Sequence, residues 1–374
     1  MSRNCLQTLS GLACLLILTL VACREPEPVR IGFLGGVTGK GAGLAVSGRN
    51  GFLLAIDQAN TTGGIGGRRV ETVISDDRMD ASQAVANVQK LFAGQVAAVV
   101  GPMTSQIAVA VVPEADRARI PLVSPTVSTN QLSGQDDYFL RVYYSNAQAA
   151  AMLAEHLAAK PQPPRLAAIY DQDNRAYTED WLTDFRERYA QLHGELIDTI
   201  AFSSTAGTSF RLVVEQALAK KPAGLLLLAN AVDSAAIAQQ IAKLGTRIPL
   251  YATGWSYTDD LLQLGGNSVE GLVIIQSADQ ESRSPEYQAF ARQYRERYQE
   301  PPSFPAIHAY DATRAVLTAL AKGATDGPQL KAALLALPPM AGAYGTIAFD
   351  RYGDLRTPEL HLAVVRDGAY RTLR

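Results

Sequence analysis

Cysteine is nearly absent from this chain of 374 residues. The three cysteines are Cys5, Cys14 and Cys23, so the sequence after position 23 contains no thiol. A disulfide within that part is excluded, and its core must be stabilised by burial of apolar side chains alone. With 47% hydrophobic residues the chain has enough of them, and its length indicates two domains.

An excess of charge of either sign is also missing. The 34 Lys and Arg residues nearly balance the 36 Asp and Glu residues, which leaves a net charge of −2, and the two signs are interspersed. A nucleic-acid-binding protein needs a basic stripe, and a peripheral membrane protein often has a polybasic patch. We therefore predict that nucleic acid is not a partner and that any membrane contact depends on a lipid.

Signals for catalysis, a metal or a cofactor are sparse. The four histidines are scattered without the spacing of metal ligands, and no Gly-x-Ser-x-Gly motif is present. The glycine cluster 35–43 follows the first predicted strand, but Gly35 and Gly39 enclose three residues where a phosphate-binding loop has four. Leu44 stands where the third glycine of a dinucleotide fingerprint belongs. We predict that the protein is not an enzyme and binds neither metal nor cofactor.

The start of the chain is typical of an export signal. Arg3 precedes the apolar run Leu12–Val21, which is too short to span a bilayer well. The run ends in Leu20-Val21-Ala22-Cys23, which resembles a bacterial lipobox. We predict a lipoprotein signal peptide over residues 1–22, acylation of Cys23 and a Pro-rich tether over residues 23–28. The alternative is an ordinary secretory signal with an incidental cysteine.

From Val29 onward, short apolar runs alternate with amphipathic stretches. Two such series follow each other along the chain, the second beginning with a predicted helix at Ala147. Continuous apolar strands separated by helices are typical of βαβ units and of parallel sheets covered on both faces. The sequence therefore predicts an α/β fold with two halves. Near the C-terminus, 345–350 and 360–366 are predicted to pair as a β-ribbon around a turn at Gly353.

Small hydroxylic residues follow two neighbouring strands of the first series. Thr104 and Ser105 end one strand and open a helix, and Thr126 and Ser128 follow the next strand. Open parallel sheets bind ligands in the crevice at the carboxyl ends of their strands, and free amides at a helix start favour an anion such as a carboxylate. Helix capping alone is the competing interpretation, since Ser and Thr often cap helices.

Several motifs together resemble those of one known family, the receptors of branched-chain amino acid ABC transporters. The similar stretches are 31–39, 63–67, 76–77 leading into 81–90, 101–105, 124–126, Asp171 with Tyr177, 265–271 and 310–312. The resemblance implies a type I periplasmic binding protein, with two doubly wound parallel-sheet lobes joined by three crossings. Lobe 1 would comprise residues 29–142 plus 276–345, and lobe 2 would comprise 143–275 plus 346–374.

The resemblance also implies a binding site between the lobes. Ser105, with Thr104 beside it, and Thr126 and Ser128 would hold the ligand carboxylate from lobe 1, and Tyr177 would close over the ligand from lobe 2. The family's ammonium-binding acidic residue is replaced near Gly254, and Asn230 stands in place of a family tyrosine. Trp255 could stack on a flat ligand or simply pack within its lobe.

The function implied is that of an extracytoplasmic solute-binding protein. It would bind a small carboxylate-bearing solute, an amino acid or a related compound, and act as a monomer that delivers it to a membrane permease. We expect it in the periplasm or at the cell surface, anchored to the membrane by its lipid. A regulatory lipoprotein of the same fold that binds a protein partner is the alternative, and an enzyme ranks third.

Overall fold

The computed structural model describes residues 26–373, so Cys23 and the predicted signal peptide lie outside the described residues. The helices are α1 Gly43–Thr61, α2 Ala81–Ala93, α3 Ser105–Ala118, α4 Asn146–Ala158, α5 Arg175–Gln191, α6 Phe210–Ala219, α7 Ala231–Lys243, α8 Asp259–Gly265, α9 Pro285–Tyr298, α10 Phe304–Leu320 and α11 Gly327–Leu335. None of these helices, within residues 26–373, has the length and apolar character needed to cross a membrane.

The strands alternate with the helices through most of the chain. They are β1 Val29–Gly35, β2 Val70–Asp76, β3 Ala98–Val100, β4 Leu122–Ser124, β5 Phe139–Arg141, β6 Arg165–Asp171, β7 Glu195–Phe202, β8 Gly224–Leu228, β9 Leu250–Ala252, β10 Val273–Gln276, β11 Met340–Ala341, β12 Thr346–Ile347, β13 His361–Arg366 and β14 Ala369–Thr372. This order confirms the predicted α/β fold with two parallel-sheet lobes.

The sheet of the first lobe is entirely parallel. Its five strands lie in the order β2-β1-β3-β4-β5, and every residue of β3, β4 and β5 is buried. Helices on both faces explain this burial, since a parallel sheet with βαβ connections is covered on each side. The strand β5 was not predicted from the sequence, because its three residues include the charged Arg141.

The sheet of the second lobe has seven strands in the order β14-β13-β10-β9-β8-β6-β7. Strands β6 to β10 pair in parallel, whereas β13 joins β10 and β14 in antiparallel pairs. The chain therefore returns to this lobe with a C-terminal hairpin, which covers the edge of the sheet. The central strand β8, Gly224–Leu228, is buried throughout, as its continuous run of leucines predicts.

The third crossing lies later in the chain than predicted. Residues Ile347 and Phe349 belong to the core of the first lobe, and β12 pairs with β11 rather than with the segment near residue 360. Strand β13 pairs with β14 instead, so the predicted ribbon is wrong. The alternating pattern at 345–350 is compatible with pairing either to β11 or to the segment near residue 360. In the structure it pairs with β11, which is nearer in the sequence.

A buried ion pair attaches this segment to the first lobe. The Arg141 guanidinium, 2% exposed, pairs with Asp354 at 2.8 Å and donates to the Thr129 carbonyl at 2.9 Å. Gly353 has a φ of +94°, and a Cβ there would lie 2.7 Å from Leu140, so the turn needs glycine. Lobe 1 thus extends beyond the predicted boundary at 345/346, and the chain crosses between Arg356 and β13.

Candidate functional site

The two lobes line a narrow cavity of about 20 Å³ at the carboxyl ends of β3 and β4. This volume is little more than one water molecule needs, so a solute fits only when the lobes or the lining side chains move apart. Six residues predicted from the sequence line it, namely Thr104, Ser105, Thr126, Ser128, Tyr177 and Trp255. The structure therefore brings together residues that are far apart in the sequence, from Thr104 to Trp255.

The first lobe contributes a hydroxyl-rich wall. Ser105 and Ser128 are 2% and 1% exposed, and the Ser105 Oγ accepts a bond from the Ser128 backbone N–H at 3.4 Å. The Ser105 hydroxyl keeps its proton for a further acceptor, and the Ser128 Oγ has no hydrogen-bond partner within residues 26–373. Thr126 differs, because its hydroxyl donates to the Met103 carbonyl at 2.6 Å and so fixes the loop.

The first turn of α3 forms part of the same wall. Thr104 is the N-cap residue, and its side chain makes no capping bond, so the first turn of this 14-residue helix keeps amides without a capping side chain. The helix dipole favours an anion at this end. One amide reaches the other lobe, since the Gln106 N–H donates to the Asn174 Oδ1 at 3.0 Å. The wall is therefore suited to a carboxylate.

The second lobe contributes aromatic rings. Tyr177 is 4% exposed, and its hydroxyl lies near the Thr253 side chain and the Trp255 backbone without a hydrogen bond of good geometry to either. Burial raises the pKa of this phenol, so it remains a neutral donor. The Trp255 ring packs edge-to-face on Tyr177, with centroids 5.6 Å apart and planes at 79°. Trp255 thus both packs within its lobe and lines the cavity.

Asn230 lies outside this cavity. It lines a wider outer cleft between the lobes, which shares Thr104, Asn174 and Trp255 with the inner cavity. The Asn230 Oδ1 accepts from the Asp233 N–H at 2.9 Å and caps α7, while its amide group donates to the Asp233 carboxylate at 2.8 Å. Capping therefore holds the side chain at the helix end, away from the inner site.

An ion pair joins the lobes across the outer cleft. The Lys40 ammonium of the first lobe lies 2.6 Å from the carboxylate of Asp233, which is fully buried in the second lobe. Lys40 also donates to the Ser204 carbonyl at 3.2 Å and lies 5.4 Å from the centre of the Phe210 ring. We call these contacts the Lys40 latch. They show that the lobes are closed over the inner cavity.

Sequence reasoning missed half of the lining residues. These are Leu44, Met103, Tyr143, Tyr144, Asn174 and Phe304. Tyr143 and Tyr144 lie on the first crossing, and a pair of aromatic residues directly after the last strand of a lobe is a signal that could have marked them. Leu44 and Phe304 lie in the first turns of α1 and α10, where an apolar side chain is indistinguishable from core in the sequence.

The deep wall of the cavity is uncharged. The Tyr143 ring contacts His308 edge-on, with centroids 5.0 Å apart, and burial lowers the pKa of this histidine to about 4. Burial also raises the pKa of both Tyr143 and Tyr144. None of the lining residues within the described chain is Asp, Glu, Lys or Arg. The described residues also contain no cluster of His, Cys, Asp and Glu placed to hold a metal ion.

A two-lobed α/β fold with an enclosed site between the lobes is the architecture of solute receptors. Residues 28–369 match the model of the periplasmic binding protein family, and the chain belongs to that family. Its members are extracytoplasmic solute-binding components of transport and not enzymes.

Curated relatives resemble the chain over most of their length. The leucine-, isoleucine-, valine-, threonine- and alanine-binding protein of Pseudomonas aeruginosa is 21% identical over 335 residues, which cover 88% of each chain. The Leu/Ile/Val-binding protein BraC3 of Rhizobium johnstonii is 23% identical over 354 residues, with 92% of this chain and 95% of that protein covered.

Solved structures share the fold. The branched-chain amino acid receptor LivJ of Streptococcus pneumoniae, in complex with isoleucine, has a TM-score of 0.84 at 24% identity and covers 93% of this chain and 99% of its own. A solute-binding protein of Rhodopseudomonas palustris, in complex with 3,4-dihydroxybenzoic acid, has a TM-score of 0.83 at 22% identity, with 92% and 95% covered.

Proposed function

We propose that this chain is the solute receptor of an ABC transporter. It binds a small carboxylate-bearing solute, an amino acid or a related compound, between its lobes and presents it to a membrane permease. The observation that carries this proposal is the enclosed cavity at the start of α3, where the buried hydroxyls of Ser105 and Ser128 lie opposite the aromatic residues Tyr177 and Trp255.

The carboxylate binds to the first lobe in this proposal. Ser105 and Ser128 donate hydroxyl protons to it, the first-turn amides of α3 add the helix dipole, and Thr126 holds the loop beside it. Tyr177 donates its phenolic proton from the second lobe, and Trp255 covers the apolar part of the solute. A ligand favours the closed form only if it contacts both lobes, and this arrangement meets that condition.

The solutes of related structures support the carboxylate end of the proposal. Isoleucine and 3,4-dihydroxybenzoic acid differ in every group except a carboxylate on a largely apolar body. A site that combines hydroxyl and amide donors on one side with rings on the other suits that shared chemistry.

A thermal-shift screen tests the proposal. The panel contains amino acids, aromatic acids and the matching amides, because an amide keeps the shape of an acid but lacks its charge. A true ligand at a hundred times its Kd stabilises the folded state by about 2.7 kcal/mol, whereas its amide should shift the melting temperature little. Ser105→Ala is the control, and at the same ligand concentration a tenfold loss of affinity should reduce the stabilisation to about 1.4 kcal/mol. Absence of a shift with every acid in the panel would contradict the proposal.

We also propose that residues 1–22 are removed and that Cys23 is acylated, which anchors a monomeric receptor to the membrane. The support is the Leu20-Val21-Ala22-Cys23 run with the Pro-rich segment behind it. A fatty-acid analogue should label the wild type and leave Cys23→Ala unlabelled, and equal labelling of both would exclude the anchor. Light scattering at working concentration tests the monomeric state.

A further inference from the structure

The chemistry of the inner cavity differs between its two ends. The end near α3 has hydroxyl and amide donors, which suit an anion. Elsewhere in the cavity, no lining residue of the described chain carries a negative charge that could pair with a cation. The acidic residues Asp171 and Asp173 line the outer cleft instead. Their carboxylates already accept bonds, Asp171 from the amides of Asp173 and Ser204 at 3.0 and 3.3 Å, and Asp173 from the amide and hydroxyl of Thr205 at 2.9 Å.

Tyr144 occupies the place where a side chain at position 254 would stand. A Cβ built on Gly254 would lie 2.2 Å from the phenolic oxygen of Tyr144, so only glycine fits beneath this hydroxyl. Tyr144 is 2% exposed, and its hydroxyl lies 3.1 Å from that of Tyr143, so the two phenols share one hydrogen bond. Burial raises the pKa of Tyr144, and the group stays neutral. A neutral phenol therefore fills the space that an acidic side chain at position 254 would need.

We propose that Tyr144 over Gly254 makes the cavity selective for monocarboxylates without an ammonium group, such as an arylalkanoate or a branched alkanoate. The inference rests on the proposed function and narrows its ligand class. An amino acid would bring an ammonium into a space without a negative partner, and an ion that loses its hydration without such a partner is strongly disfavoured. The corresponding acid without the amino group places only a methylene there, which the surrounding rings accommodate.

The aromatic residues are arranged more like a slot than like a cage for a cation. Tyr143 packs on Tyr144 with centroids 4.1 Å apart and stacks on Phe304 at 5.8 Å, and Trp255 packs on Tyr177. A cation needs an open ring face within about 6 Å. Here Tyr143 lies against Tyr144 and Phe304, and in the Tyr177–Trp255 pair the edge of one ring covers the face of the other. This arrangement suits a flat or branched apolar body. A quaternary ammonium carboxylate is nevertheless included in the test.

Calorimetric titration of the purified protein with matched ligand pairs tests the inference. The pairs are 3-phenylpropanoate with L-phenylalanine and 4-methylpentanoate with L-leucine, and glycine betaine is added as a cationic carboxylate. In at least one pair the acid without the amino group should bind at least ten times more tightly than its amino acid. Tighter or equal binding of an amino acid, or tighter binding of glycine betaine, would overturn the inference while the proposed function stands. If no member of the panel binds, the carboxylate receptor itself is contradicted, and the inference with it.

Variants at the two positions test the contact itself. Gly254→Ala should abolish binding of the preferred acid, because its methyl group displaces the phenol, whereas Gly254→Ala in a Tyr144→Phe background should bind, since the ring carbon there lies 3.4 Å from the new Cβ. The pair Tyr144→Ala with Gly254→Asp places a carboxylate in the vacated space and should reverse the preference toward the amino acid by at least tenfold. Melting temperatures verify that each variant folds. An unchanged preference in a folded double variant would refute the assignment of Tyr144 and Gly254.

Discussion

The two walls of the inner cavity consist of different kinds of side chain. The first-lobe wall consists of short side chains and backbone at strand ends and at a helix start, where Ser105 and Ser128 are 2% and 1% exposed. The second-lobe wall consists of Tyr177 and Trp255, large rings from a long helix and from the segment after β9. Short side chains on a rigid sheet edge fix the position of a ligand, whereas large rings supply the contact area that favours closure.

The difference implies a division of work between the lobes. A ligand that met only the first wall would bind an open receptor equally well and would not change its shape. The second wall and the Lys40 latch supply the contacts that exist only when the lobes are closed. The predictions below separate positioning from closure, in order of decreasing effect.

The largest effect is expected for Tyr177→Ala. Loss of a buried aromatic side chain at the centre of a binding interface typically costs 2 kcal/mol or more, so affinity should fall about thirtyfold or further. Closure should suffer as well, and small-angle scattering at saturating ligand should show less contraction than in the wild type. Tyr177→Phe is the matched control, since it keeps the ring and should contract normally. A wild type with the same radius of gyration with and without ligand would contradict the closing mechanism.

A smaller effect is expected in the first wall for Ser105→Ala and Ser128→Ala. Charge-assisted hydrogen bonds contribute about 1.5–3 kcal/mol, so each variant should bind at least roughly tenfold more weakly. The melting temperature of the free Ser128→Ala protein should stay nearly constant, because its hydroxyl has no partner within residues 26–373. Contraction at saturating ligand should be complete in both variants.

Thr126 provides the contrast for that prediction. Its hydroxyl donates to the Met103 carbonyl at 2.6 Å, so Thr126→Val should lower the melting temperature as well as the affinity. If Ser128→Ala lowers the melting temperature as much as Thr126→Val does, the Ser128 hydroxyl has a structural role rather than a binding one.

A modest effect is expected for the Lys40 latch. Lys40 is about half exposed, so its ion pair with the buried Asp233 should be partly screened, and Lys40→Met should weaken binding about threefold. The loss should appear in the dissociation rate, because the latch acts after closure. Lys220→Met is the control, since Lys220 pairs with Asp198 at 3.2 Å within one lobe. Equal effects of the two substitutions would argue against a latch.

Periodicity and strand-end chemistry predicted most of the fold and the first wall. Continuous apolar strands such as β8 are determined locally, and Ser105 and Ser128 follow strands that any parallel sheet brings together. The second wall depends on closure, which local pattern does not describe. Asn230 illustrates this, because its capping bond to Asp233 competes with a role in the cavity. Tyr144 was missed for a related reason, since its contact with Gly254 joins two segments that are far apart in the sequence.

The smallest expected effect is that of pH. Burial raises the pKa of Tyr143, Tyr144 and Tyr177, so these phenols remain protonated donors at pH 9. His308 behind them has a pKa lowered to about 4 and is neutral above pH 6. In the outer cleft, burial raises the pKa of Asp171 to about 6, so this group is ionised from pH 7 upward.

Between pH 7 and pH 9 none of these groups changes its protonation, and neither does the carboxylate of the ligand. The affinity for a monocarboxylate measured by calorimetry should therefore stay constant over this interval. Below pH 6, protonation of Asp171 removes one negative charge from the outer cleft, which Lys40 and Arg78 also line. The affinity for an anion should therefore rise slightly until the ligand itself is protonated. Asp171→Asn should remove that rise and leave the plateau unchanged. A steep loss of affinity between pH 7 and pH 9 would mean that a phenol or an ammonium titrates at the site, and it would contradict the neutral second wall inferred from Tyr144 and Tyr177.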